Sequence, residues 1–311
     1  MSGFHLHHHG HAHDHAHHVA PEHQRAMRLA SYASVAMALA LMAAKLVAWW
    51  LSDSLAMLSS LTDSLFDVIT SLINMCALRY ALKPADDDHR FGHSSIEDIA
   101  GLAQAAFIGA GMLIIILQSF ERLANPQPLQ HEQLGMIVSV VAMVFTIALV
   151  IYQTIVARRT GSLIVASDRL HYVGDIAFNL GVLAALFLSS AMGWIWADPL
   201  FAILIALAIL WSTRTIGIRA FHNLMDREMP DAEKQKIIDA VRAMPEIHGM
   251  HQFKTRYSGT KPFIQMHIDL PGALSFDAAH AITDRLEQKL FALFPGADVI
   301  IHPDVENAHD H

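Results

Sequence analysis

Six stretches of the chain, near residues 28–51, 55–82, 99–121, 133–157, 163–191 and 196–221, are predominantly apolar over more than 20 residues each. A helix needs about 20 apolar residues to cross a hydrocarbon core roughly 30 Å thick. In lipid every backbone N–H and C=O must be satisfied within the protein, which confines such stretches to helices. The sequence therefore predicts an α-helical membrane protein with six transmembrane helices. Composition agrees, since 53% of the 311 residues are AVILMFWYC, 16% are charged, and mean hydropathy is +0.35.

Lysine and arginine orient the bundle. Arg25, Arg28, Arg79, Lys83, Arg90, Arg158, Arg159, Arg169, Arg214, Arg219 and Arg227 fall on one side, with little beyond Arg122 on the other. Both termini are expected on the cytoplasmic side of a multi-pass protein. The polar, histidine-rich start of the chain lacks the charged and short apolar regions of a cleavable signal peptide, so the first span is expected to be retained. In the third span Gly101, Ala105 and Gly109 form a small-residue stripe suited to close helix packing.

The second and fifth spans are the least uniformly apolar, and they carry two polar pairs, Asp63 with Asp67 and His171 with Asp175. Residues four apart lie one turn apart on the same helix face. Each pair thus offers two ligands to a point between the two helices. A carboxylate at the centre of a membrane helix costs roughly 2.5–3.5 kcal/mol on insertion scales, a cost that implies a use. Carboxylates with one imidazole suit Zn²⁺ in tetrahedral coordination, and accept Cd²⁺, Fe²⁺, Co²⁺ or Mn²⁺ with less ideal geometry. Four protein ligands close the shell, which favours binding and release over hydrolysis. Protons compete with the ion for the same atoms, and His171 is the expected proton carrier because imidazole titrates nearest neutrality.

Two further clusters lie outside the spans. Asp86, His89 and His93 occupy the polar loop after the second span, with Gly92 permitting a turn. Beyond Asp226 the composition becomes that of a small soluble domain. Pro230 and Asp231 open an amphipathic helix to Met244, and two β-rich stretches follow at 250–257 and 262–270. Ser275 reads as the N-cap of a helix to about Leu293, and 297–302 as a last strand. This α-β-β-α-β order fits a ferredoxin-like α+β module with an antiparallel-rich sheet. His251, His267, His280, His302 and Asp304 come from different elements of it, and Asp304 can bridge two ions. The division expected is a tail at 1–27, a membrane domain at 28–225, a metal-binding domain at 226–304 and a short tail at 305–311. Ten His fall within the first 23 residues, and this segment reads as a disordered, metal-gathering tail.

Six spans, Asp-x-x-x-Asp in the second, His-x-x-x-Asp in the fifth and a His-bearing α+β domain together resemble the cation diffusion facilitator family, in its bacterial zinc- and iron-exporting branch. The phrases SLTDSLFD, HRFGH, FIQMHIDL and VIIHPD carry the likeness. The resemblance implies a homodimer in the bacterial inner membrane that exports divalent cations by antiport with protons, through alternating access. Asp63, Asp67, His171 and Asp175 then correspond to the transport site, and Asp86, His89 and His93 to a loop site. His251, His267, His280, His302 and Asp304 correspond to a binuclear site that ties the two protomers' cytoplasmic domains together. One position departs from the pattern: Ser95 stands where related members carry a lysine that pairs with the acidic residue matching Asp226.

Other classes fit poorly. A formal charge of −8 argues against nucleic acid as a partner, and a single cysteine, Cys76, excludes a disulfide framework or thiolate cluster. A membrane metalloenzyme would need an open coordination position and a base, and no His-Glu-x-x-His motif supplies them. A metal sensor would not need ligands buried within six spans.

Overall fold

Each apolar run becomes one long helix in the computed structural model, which describes residues 21–52, 55–124, 133–192, 194 and 196–306. The helices are α1 (Pro21–Ser52), α2 (Leu55–Ala81), α3 (Ser95–Ala124), α4 (Gln133–Thr160), α5 (Leu163–Met192) and α6 (Ala197–Leu224). Among the described residues four stretches are long and apolar enough to cross a membrane: Glu22–Trp50, Ser95–Ala124, Ala142–Thr160 and Pro199–Leu224. They lie in α1, α3, α4 and α6. The helices that carry the polar pairs, α2 and α5, are not among them. The histidine-rich segment before residue 21 lies outside the described residues, and α1 begins seven residues earlier than the apolar run suggests.

The small-residue stripe of α3 is used inside the chain. A Cβ on Gly101 would stand 3.1 Å from Leu163 of α5, one on Gly217 of α6 would stand 3.4 Å from Ala105, and one on Gly109 would stand 3.9 Å from Leu210. Small residues here let α3 lie close against α5 and α6, where dispersion rather than hydrophobic burial holds membrane helices together. Two buried clusters share α5. Met27, Leu78, Val156 and Ile164 join it to α1, α2 and α4, whereas Ala105, Leu170, Ile209 and Ile216 join it to α3 and α6.

The portion after the six helices comprises α7 (Asp231–Arg242), β1 (Gly249–Ser258), β2 (Lys261–Leu270), α8 (Phe276–Leu293) and β3 (Asp298–Val305). Ser275 caps α8 as expected, its hydroxyl accepting from the Ala278 N–H at 3.2 Å. The strands order β1-β2-β3, with β1 antiparallel and β3 parallel to β2. The sheet is thus evenly mixed rather than antiparallel-rich, because α8 crosses back over it and returns the chain in the direction of β2. β3 also runs past the expected 297–302, keeping register through Leu270↔Val305, so Asp304 lies within the strand. Pro303 is tolerated because β3 is an edge. Ile237, Val241, Ile264, Ile268, Leu286 and Leu290 form the core between sheet and helices.

The two portions meet at the β1–β2 turn. Gly259, at φ +57°, donates its N–H to Asp98 Oδ2 at 2.6 Å, and Asn223 of α6 donates to Asp98 Oδ1 at 2.8 Å. Ser258 Oγ lies 2.9 Å from Ser94 Oγ and 2.8 Å from Ser95 Oγ. Asp226 faces Arg256 at 3.1 Å. Ser95 therefore joins a hydroxyl contact, and Asp226 finds its cation on β1.

Candidate metal centres

Between the second and fifth helices, His171 Nε2 stands 2.9 Å from Asp67 Oδ1 and 3.8 Å from Asp175 Oδ2. One ligand atom from each of the three lies within 4.8 Å of the others. The i,i+4 spacing on α5 and the close approach of α2 put them there. Asp63 belongs to α2 one turn before Asp67, and its side chain lies outside the described residues. The contacts among these groups use the atoms that would ligate an ion, so a shared proton and a cation are alternatives at this point.

Beside the triad is a buried polar layer contributed by four helices. Asp168, one turn before His171 on α5, accepts from Gln153 Nε2 of α4 at 2.7 Å, from Asn74 Nδ2 of α2 at 3.2 Å, and from Ser34 Oγ of α1. Gln153 also reaches Ser34 Oγ at 2.8 Å, and the Tyr172 hydroxyl donates to the Ser34 carbonyl at 3.2 Å. Four helices are thereby tied together around one carboxylate. Ser34 and Gln153 sit in the first and fourth apolar runs, outside the two spans singled out for their polar residues. Their isolated polarity within apolar sequence was the available signal.

The loop cluster closes within one short turn. Asp86 accepts from Lys83 Nζ at 2.6 Å and from the His89 backbone N–H at 2.9 Å, and these bonds, Lys83 foremost, hold its carboxyl well below the usual carboxylate range. His93 is 4% exposed and lies with Nδ1 3.1 Å from the Pro84 carbonyl. Donation from Nδ1 leaves the Nε2 lone pair available, which is the orientation a metal-ligating imidazole takes. That Nε2 is buried without a hydrogen bond, 3.4 Å from Asp86 Oδ2, and the His89 ring lies 4.5 Å from the His93 ring. An orphaned buried acceptor beside a carboxylate and a second imidazole fits a cation.

In the cytoplasmic domain the candidate ligands assemble through strand register. His251, His267 and His302 stand directly opposite one another across β1, β2 and β3, and Asp304 follows two residues beyond His302 on the same face. Asp304 Oδ2 lies 2.8 Å from His267 Nδ1 and 3.2 Å from His251 Nε2, with its Oδ1 3.3 Å from His302 Nε2. The His267 hydrogen bond, with the neighbouring imidazoles, lowers the Asp304 pKa. His251, His267 and Asp304 form the close triad, and His302 sits at its exposed rim. His280 is placed elsewhere: on α8 it is exposed, 3.6 Å from Asp284, and stacked on Phe276. Asp269, 3.4 Å from His251 Nδ1, is a further carboxylate that sequence reading did not select. Its alternation with His267 along β2 was the signal.

Comparison with known proteins identifies the family. Residues 31–225 match the cation efflux transmembrane domain, and residues 229–306 match the cytoplasmic domain of cation efflux proteins. The chain belongs to the cation-efflux family, the cation diffusion facilitators. It is 46% identical over 278 residues to the cation-efflux pump FieF of Shewanella oneidensis, covering 89% of this chain and 94% of that one. The FieF pump of Klebsiella pneumoniae is 44% identical over 280 residues, 90% and 93% of the two chains. Among solved structures, the metal-bound C-terminal domain of the Thermotoga maritima CzcD transporter aligns over 26% of this chain and all of its own length, at 26% identity and a TM-score of 0.25. The chain is accordingly a membrane-embedded cation exporter and not an enzyme.

Proposed function

We propose that this facilitator exports Zn²⁺, with Fe²⁺ and Cd²⁺ as further cargoes, from the cytoplasm in exchange for protons. The observation that carries the reading is the triad of Asp67, His171 and Asp175, whose ligand atoms come from two helices and lie within 4.8 Å of one another. With Asp63 as fourth ligand from α2, the donor set is the borderline nitrogen and oxygen mixture that Zn²⁺ takes. An ion entering from the cytoplasm displaces the proton held between His171 and Asp67. A proton arriving from the far side restores that contact and releases the ion outward, so exchange follows from competition at shared atoms.

In this reading α1–α6 all span the inner membrane with both termini cytoplasmic, and the α-β-β-α-β module is a ferredoxin-like domain through which two protomers pair. Asp86, His89 and His93 hold an ion at the cytoplasmic mouth. His251, His267, His302 and Asp304 hold ions that stabilise the paired domains, and His280 completes that set once the protomers associate. The Asp168 layer keeps α5 in register against α1, α2 and α4 while the site changes its access.

Uptake of radioactive Zn²⁺ into proteoliposomes, with and without a pH gradient, tests this. Asp67→Ala and Asp175→Ala are each expected to abolish gradient-driven uptake. Uptake unaffected by either substitution would sink the transport assignment, and uptake indifferent to the gradient would sink the proton exchange.

A further inference from the structure

A cleft of about 1060 Å³ opens where the ends of α4 and α6 face the start of α7 and the β1–β2 turn, away from every metal centre described above. Arg159, Arg214, Arg219 and Arg227 line it, and all four are exposed. The acidic groups on its other wall are already engaged. Lys234 holds Glu228 at 3.1 Å and Asp231 at 3.0 Å, and Glu233 accepts from the Tyr257 hydroxyl at 2.7 Å. None of the four arginines forms an ion pair with a carboxylate among the described residues. Arg219 also faces the buried Glu97 and Asp98, which leaves Arg159, Arg214 and Arg227 as the cleft's arginines with no carboxylate paired to them among the described residues.

The depth of the cleft in the membrane follows from α6. Leu204, Leu207, Trp211, Arg214 and Ile218 recur at three- and four-residue spacing and make one stripe. Leu204, Leu207 and Trp211 are 55%, 51% and 73% exposed, an apolar track for acyl chains. Tryptophan concentrates at the membrane–water boundary. The Arg214 guanidinium lies 5.6 Å from the Trp211 ring centroid, which sets it at the height of the headgroups. The stripe thus passes from exposed leucines through a tryptophan of the kind found at the interface to the Arg214 guanidinium.

We propose that this cleft binds the phosphate headgroup of an anionic phospholipid from the cytoplasmic leaflet, with its acyl chains along the Leu204–Trp211 track. Guanidinium groups take phosphate oxygens through paired, charge-assisted hydrogen bonds, and basic pockets between helices on the cytoplasmic side suit such headgroups. The bound phosphate bridges the α4 and α6 ends to the Arg227 segment that enters the cytoplasmic domain. The lipid would act as a clasp between the two portions of the chain.

The test uses the full chain in neutral detergent, with native mass spectrometry and quenching of Trp211 by phospholipids carrying brominated acyl chains. Phosphatidylglycerol and cardiolipin are expected to bind at least tenfold more tightly than phosphatidylcholine, at roughly fivefold per basic residue. Arg159→Gln with Arg227→Gln should lose about 30-fold on the same scale, whereas Arg159→Lys with Arg227→Lys should fall between that variant and the wild type, because the charge is kept and the paired guanidinium bonds are lost. Equal binding of phosphatidylcholine, or unchanged binding in the glutamine variant, overturns the proposal. Displacement of the lipid by millimolar inorganic phosphate also overturns it, since the cleft would then be a site for soluble anions.

Discussion

Replacing Gly259 by alanine should loosen the joint between the membrane and cytoplasmic portions, and the structure supplies the size of the effect. The residue sits at φ +57°, where an L side chain costs roughly 1–2 kcal/mol. A Cβ there would lie 2.5 Å from the Ser94 carbonyl oxygen and 3.1 Å from Glu97 Oε2. The carbonyl is backbone and cannot rotate away, so the turn must shift. That shift breaks the 2.6 Å bond from the Gly259 N–H to Asp98, a hydrogen bond to a charged group worth about 1.5–3 kcal/mol. Together the losses come to about 2.5–5 kcal/mol. At roughly 2 °C per kcal/mol, toward the low end of the range for sizeable domains, the thermal midpoint in detergent should fall by about 5–10 °C. Gly111→Ala on α3 is the control, because a Cβ there meets nothing within 4 Å and should change little. Asp98→Asn should couple strongly to Gly259→Ala in a double-mutant cycle, since both act on one bond. Equal midpoints for Gly259→Ala and Gly111→Ala, or additive losses in the cycle, would refute the reasoning.

Two further outcomes concern the cytoplasmic domain. Leu286 is fully buried in its core, so Leu286→Ala should cost about 3 kcal/mol and lower hydrogen-exchange protection at Ile264 and Ile268 by about a hundredfold; unchanged protection would mean that the core does not carry the domain. The carboxyl of Asp304 is depressed by His267 and its neighbours, so in chelator-treated protein its stabilisation is present above the unfolded value near ~3.9 and is lost as pH falls through the lower folded value. Circular dichroism followed from neutral to acid pH should show Asp304→Asn lacking this part of the acid transition, and an identical transition in the variant would contradict the assignment.

Much of the architecture was legible because its signals are local. The apolar runs predicted α1–α6 to within a few residues at most ends, and the turn and cap residues located every element of the cytoplasmic domain. The i,i+4 pairs were equally readable, since helical spacing alone places His171 and Asp175 on one face. Partners supplied by distant segments were not readable. Ser34 and Gln153 stand in predominantly apolar runs with no spacing that pairs them, yet they close around Asp168 from α1 and α4. Asp304 was expected beyond the last strand, and continued pairing with β2 draws it into β3. His280 was grouped with the other histidines, although in the single chain it turns to Asp284.

The contrast between Ser95 and Asp67 shows where the boundary lies. Sequence alone determined that acidic residues stood inside apolar runs and that an imidazole stood one turn from a carboxylate, a donor set whose chemistry suits a divalent cation. Tertiary structure decided which helices closed on one another, how three strands aligned His251, His267 and His302 in a single row, and that Ser95 meets Ser258 while Asp226 turns to Arg256. The physical reason is range. Spacing along a helix or strand follows from backbone geometry within a few residues, whereas contacts between segments depend on packing and register summed over the whole chain.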